Sequence, residues 1–176
     1  MSKSFKKKYS VLINDDKIGT LMISIDQDTS NSINFSYRLS AIHQDVKITS
    51  TIIDNTVMKY EKIELCNGIK NTESFIKLDE FNHNYRCDDE DGNIIFRYNL
   101  DFFEKVLFYP GKNIENSFEI SKIINLKNSQ IYNFKFIKIS ENKFKIYSPE
   151  VSYVEYDRNG ILSSYYNLST GVKILG

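Results

Sequence analysis

Few residues in this chain combine a chemically useful type with a suggestive spacing. Cys87-Asp88-Asp89-Glu90-Asp91-Gly92 sets four carboxylates ahead of a glycine, as at the start of a calcium-binding EF-hand loop. The register fails. With Gly92 in sixth place the first ligand is Cys87 and the twelfth Tyr98, and the flanks read as strands. The segment reads as a solvated acidic turn, since turns favour Asp, Asn and Gly for local reasons.

His43 and His83 are the only histidines, and neither has a His, Cys or Glu at a metal-ligand interval. No metal site is expected. Either could be a general base if it faced an interior, because its pKa lies near neutrality. The simpler reading is a surface or turn histidine. His43, which follows the apolar face of its strand, is the stronger candidate; His83 lies in a polar loop.

Asp101 and Glu104 could work as an acid/base pair, but their three-residue separation also fits a helix capping box. Tyr109 closes the same segment. Tyrosines and arginines on strands form the last group: Tyr37, Arg38, Tyr60, Tyr85, Arg86, Arg97, Tyr98 and Tyr153. Phenol and guanidinium groups facing a cavity would anchor a ligand's carbonyl or carboxylate within an apolar wall. The plain alternative for each is an outward arginine or a core tyrosine. There is no Gly-x-Ser-x-Gly elbow, phosphate-cradling glycine loop or dinucleotide fingerprint, so no cofactor is expected.

The elements that must position these groups read as strands. Short alternating runs recur between turn signals, and none sustains helical periodicity over several turns. Ile33, Phe35, Tyr37, Leu39 and Ala41 alternate cleanly with Asn34, Ser36, Arg38 and Ser40. Turn signals stand at residues 14–17, 54–55, 66–68, 88–93 and 157–160. One segment breaks the pattern: residues 101–109 place Phe102, Phe103, Val106 and Leu107 on one face before Pro110-Gly111, which predicts a single short helix.

These elements predict an all-β fold, an antiparallel up-and-down meander of about ten strands rolled into an open or closed barrel, with the helix as a lid or plug at one rim. The 176 residues fit one domain, 1–176, large enough to bury a core without disulfides. Cys66 and Cys87 read as buried thiols.

Tyr156-Asp157-Arg158-Asn159-Gly160-Ile161-Leu162, followed by Gly171 and the apolar chain end, resembles the closing hairpins of an uncharacterised bacterial family of lipocalin-like β-barrels. Tyr9, Val11 and Ile13 with Lys17-Ile18-Gly19 are similar to that family's first hairpin, as is the segment 60–68 to its middle. The resemblance implies a barrel and assigns no catalytic residue. This chain departs from the pattern in having no tryptophan.

Lys plus Arg balance Asp plus Glu at 23 each, so no net field favours nucleic acid or an anionic membrane. The basic run Lys6-Lys7-Lys8 precedes too short an apolar stretch for a signal peptide, which implies a cytoplasmic chain or a secreted one already trimmed. With 12 Phe and 12 Tyr to line a barrel, the expected function is binding of an elongated apolar small molecule. The alternative is a cofactor-free biosynthetic enzyme, a cyclase, isomerase or hydratase, acting by substrate positioning and acid/base assistance in the same cavity.

Overall fold

The computed structural model describes residues 3–27, 31–78, 85–89, 92–96, 100–108, 116–125, 130–147 and 150–176. It is all-β with one short helix, as the alternation predicts. The strands run β1 (Lys3–Ile13), β2 (Asp16–Gln27), β3 (Ser32–Ala41), β4 (Gln44–Ile53), β5 (Thr56–Cys66), β6 (Ile69–Lys77), β7 (Tyr85–Asp89) and β8 (Gly92–Phe96). Helix α1 (Phe103–Phe108) follows, then β9 (Phe118–Asn125), β10 (Gln130–Ser140), β11 (Lys143–Tyr147), β12 (Ser152–Tyr156), β13 (Leu162–Asn167) and β14 (Val172–Leu175).

The 14 strands of the described residues join one antiparallel sheet in the order β8-β7-β6-β5-β4-β3-β2-β1-β14-β13-β12-β11-β10-β9. Every neighbour is also a sequence neighbour except β1 and β14, which pair from Ser10↔Leu175 to Ile13↔Val172. The seam of the meander is therefore sealed at the two ends of the described chain. Its gap falls in the middle, between β8 and β9, and α1 lies in the connection across that gap.

The strand count exceeds the expected ten partly because of turns without a strong signal. Ile42-His43 divides the long run 33–52 into β3 and β4, with His43 at φ 69°. Histidine is among the few non-glycine residues that enter the left-handed region readily. The stronger turn signals hold: Asn14-Asp15, Asp54-Asn55 and Asn67-Gly68 all have positive φ, as two-residue hairpin loops require. At the last long hairpin, Asp157 Oδ1 accepts the Asn159 and Ile161 amides while Gly160 sits at φ 75°.

Contacts made by residues 102–108 establish the curl of the sheet. Phe102 packs on Tyr60 of β5 with ring centroids 4.8 Å apart, and Phe103 stacks on Phe134 of β10 at 4.9 Å. In a flat sheet β5 and β10 would lie nine strand spacings apart, roughly 43 Å. Phe108 meets Tyr9 of β1 and Tyr37 of β3, and the Tyr156 hydroxyl on β12 donates to the Leu107 carbonyl. The sheet must wrap around α1. The helix is thus an internal plug, not a lid at the rim.

The core follows from this arrangement. The inward positions of β1–β7 and β10–β14 supply aliphatic and aromatic side chains, and α1 fills the space between with Val106, Leu107 and Phe108, each nearly inaccessible. Such burial is the main stabilising term in a fold of this size. Cys87 is in this core, Cys66 is half-buried near a rim, and both are free thiols.

Candidate functional site

Cross-strand register turns the inner face of β3–β6 into rows. Phe35, Ser50, Tyr60 and Phe75 form one row, paired in succession. The next contains Tyr37, Ile48, Lys62 and Glu73, and the one nearest the rim Leu39, Val46, Glu64 and Asn71. The face therefore grades from aromatic to ionisable along the strands. Alternation dictates the result: Tyr60, Lys62 and Glu64 are spaced by two on β5 and must share a face.

Helix α1 adds Glu104 to this group. The Lys62 ammonium stands 3.2 Å from Glu64, and the other Glu64 oxygen accepts from the Gln44 amide at 2.7 Å. Burial pushes the Glu104 carboxyl above its ordinary value; its own backbone N–H and then Lys62 oppose this, while Glu73 and Glu64 add to it. Burial pulls Lys62 down, but Glu73, Glu104 and Glu64 together outweigh it and leave the ammonium raised. Tyr37 is pushed up by burial and then by Glu104, Glu64 and Tyr165; Tyr60 by burial, then Glu104 and Glu73. These groups share one electrostatic neighbourhood.

Solvent reaches part of it. The inward-facing Lys62 and Glu64 side chains keep 20% and 13% of their surface, and Tyr37, Glu73 and Glu104 are only half-buried. Accessible groups on the inner face mark a recess above the aromatic layer. On its opposite side Tyr165 of β13 bonds with the Ser152 hydroxyl at 3.1 Å and lies edge-on to Phe103.

The structure brings some sequence candidates together and separates others. Tyr37, Tyr60 and Glu104 meet at the recess. Asp101 does not pair with Glu104. It accepts the Phe102 amide at 2.9 Å and binds the Lys105 ammonium at 2.8 Å, beneath the recess. The expected capping box does not form: Asp101 accepts the Phe102 amide, ahead of the helix, while the Glu104 side chain receives its own N–H and is drawn towards Lys62.

Tyr85 is a core tyrosine: its hydroxyl donates to the Val57 carbonyl at 2.9 Å and accepts from Leu100, and burial, then Asp101, push it up to about 12. Arg38 and Tyr153 lie on the outer face. So does Arg86. His43 is exposed on its turn, away from the inner face, because the chain reverses at Ile42-His43. His83, Arg97, Tyr98 and Tyr109 lie outside the described residues. So do Glu90 and Asp91 of the acidic turn.

Comparison with protein-family profiles, curated sequences and solved structures finds no match. Chemistry alone must describe the site. Reading single strands missed Lys62, Glu64 and Glu73, which look like surface charges in isolation. Their two-residue spacing from Tyr60 and Phe75 was the available signal.

Outside the recess, an open depression of about 340 Å³ on the outer face runs over β3–β5 between Arg38, Asp45, Lys47, Ile63 and Leu65. Its charged side chains are exposed, and the desolvated ionisable groups are on the other side of the sheet. Among the described residues no helix is long and apolar enough to cross a membrane, and no group of three or more acidic, His or Cys side chains is placed to hold a metal.

Proposed function

We propose that this protein binds a small molecule with an apolar body and a polar end in the recess between α1 and β3–β6. One observation carries the reading: ionisable side chains face inward, remain open to solvent, and stand directly above an aromatic layer. Fully packed sheets put apolar residues at such positions, and charged groups there are rarely tolerated without a partner. Apolar walls with a few convergent polar groups are the usual composition of a ligand site. The hairpin resemblance to lipocalin-like barrels is compatible with this through fold alone.

The test is recovery of a bound compound. Native mass spectrometry of protein purified without denaturation should show an added mass that Glu104→Gln removes. A library screen by NMR should move the resonances of Tyr37, Tyr60 and Tyr165. Shifts confined to outer-face residues such as Arg38 and Tyr153 would overturn the reading.

A second reading, a cofactor-free enzyme, is favoured by the raised pKa of Glu104 beside the Tyr37 phenol. A carboxyl whose proton is held more tightly by burial can donate it to a bound substrate, and a phenol can polarise a carbonyl. Turnover abolished by Glu104→Gln with ligand affinity retained would favour the enzyme over the simple binder.

A further inference from the structure

Outward-facing side chains on the later strands form a second chemical surface, on the other side of the sheet from the recess. Cross-strand pairing sets Lys145 of β11, Tyr153 of β12, Tyr166 of β13 and Lys173 of β14 side by side in one row. Alternation turns all four outward, because Ile146, Val154, Tyr165 and Ile174 beside them are buried. Tyr147, two residues beyond Lys145 on the same face, stands opposite Lys135. Tyr153 and Tyr147 keep 37% and 38% of their surface.

Cations stand at these rings. The Lys145 ammonium is 4.7 Å from the Tyr147 ring centroid, and the Lys173 ammonium 5.4 Å from that of Tyr166. Tyr153, between the two, makes no ring contact and no side-chain hydrogen bond among the described residues, which leaves its face open. The nearby carboxylates are engaged: Glu155 with Lys143, Asp15 with Lys173 and Glu150 with Asn167. Lys145 has no carboxylate partner among the described residues, and Asp15 lies on an exposed turn, so Lys173 can exchange it for another anion. The balanced charge of the whole chain governs only the far field, and this row is locally basic.

The pairing of ring and charge selects the occupant. Rings on adjacent strands, about 4.8 Å apart, offer faces to successive flat groups. Lysines at both ends of the row offer charge to the anions that link such groups. A neutral carbohydrate would use the rings without the charge, and an acidic peptide the charge without the rings.

We propose that the outer face of β11–β14 binds single-stranded nucleic acid, with bases stacked on Tyr153 and Tyr166 and phosphates held by Lys145 and Lys173. Aromatic platforms flanked by cations bind single strands with little sequence preference, since every base has a π-face. A duplex hides those faces, and a mononucleotide covers only one ring.

The experiment titrates the full chain with an eight-nucleotide oligothymidylate, the same strand in duplex with oligoadenylate, thymidine monophosphate, and an oligouronate of similar charge. Fluorescence anisotropy, direct or by competition, gives the affinities, and chemical-shift mapping gives the place. The single strand should bind at least tenfold more tightly than any other probe and shift Tyr153 and Tyr166, not the recess. Two phosphate contacts predict about a sevenfold loss of affinity between 50 and 200 mM salt. Tyr153→Ala should weaken binding about tenfold, whereas Tyr153→Phe, which keeps the ring, should not. Lys145→Met should weaken binding several-fold and reduce the salt dependence, and it supplies the answer if Tyr153→Ala disturbs the sheet. Duplex or oligouronate binding as tightly as the single strand would reduce the row to charge alone and overturn the proposal. Thymidine monophosphate matching the strand, affinities insensitive to both substitutions, or no binding at all would overturn it too. Each of these failures leaves the recess reading intact, because the two surfaces share no residue.

Discussion

Replacing Lys105 by methionine should loosen the plug that shapes the recess. Lys105 is 3% exposed, with its ammonium 2.8 Å from Asp101 Oδ2 and 3.2 Å from the Asn55 carbonyl of the β4–β5 turn. It ties the start of α1 to the sheet. Methionine keeps most of the stem's packing and removes the charge, so the loss isolates the polar clamp. Removing one partner of a buried ion pair costs about 3–5 kcal/mol, because the other is left uncompensated. Asp101 retains 22% of its side-chain surface, so water or a proton can partly relieve it. The expected loss is therefore about 2–3 kcal/mol, a fall in Tm of roughly 5–10 °C for a domain of this size.

Urea unfolding followed by far-ultraviolet circular dichroism would measure it, with an unchanged m-value indicating that stability alone has moved. The double variant Lys105→Met with Asp101→Asn should lose little more than Lys105→Met alone, since the orphaned carboxylate is gone. A single-variant loss below about 0.5 kcal/mol, or two losses that simply add, would refute the clamp.

The carboxyls at α1 also set a pH dependence. Glu104 and Asp101 are both raised in the folded state, chiefly by burial, so the native chain binds more protons than the unfolded one between the ordinary carboxyl range and the raised values. Stability should fall as pH rises through that window and then level off. Glu104→Gln should flatten the fall and be the more stable protein above it, as denaturant midpoints from pH 4 to 8 would record; a steeper fall in the variant would contradict the assignment. Phe102→Ala removes a ring 2% exposed that packs on Phe35 and Tyr60, and should cost about 3–5 kcal/mol in the same assay. Tyr85→Phe, which leaves the Val57 carbonyl without its donor, should cost about 1–3 kcal/mol. Gly19→Ala would drive a Cβ into the Ser40 carbonyl oxygen, and amide exchange should report weakened β2–β3 pairing.

Much of the strand content was legible because side chains alternate with period two. Ile33, Phe35 and Tyr37 needed no partner to reveal their common face, and Asn14-Asp15 and Asn67-Gly68 announced their turns by residue type. Residues 101–109 likewise read as one short helix from their apolar spacing and the Pro-Gly that comes after them in the sequence, and the helix observed is Phe103–Phe108. Ile42-His43 did not announce its turn, since nothing local distinguishes it from strand, and the long hairpin pair β3–β4 was hidden by it.

What alternation cannot specify is which residues meet across strands, because that depends on register and on the closure of the sheet. Lys62 and Glu73 become neighbours only through the β5–β6 pairing, and Glu104 joins them only because the sheet wraps around α1. The sequence by itself determined a meander with one helix. The tertiary structure decided that the helix enters the sheet as its core, and in doing so separated Asp101, which holds the helix in place, from Glu104, which faces the recess. The two carboxyls are three residues apart in sequence, yet they lie in different surroundings, and desolvation and neighbouring charge, not residue type, set the role of each.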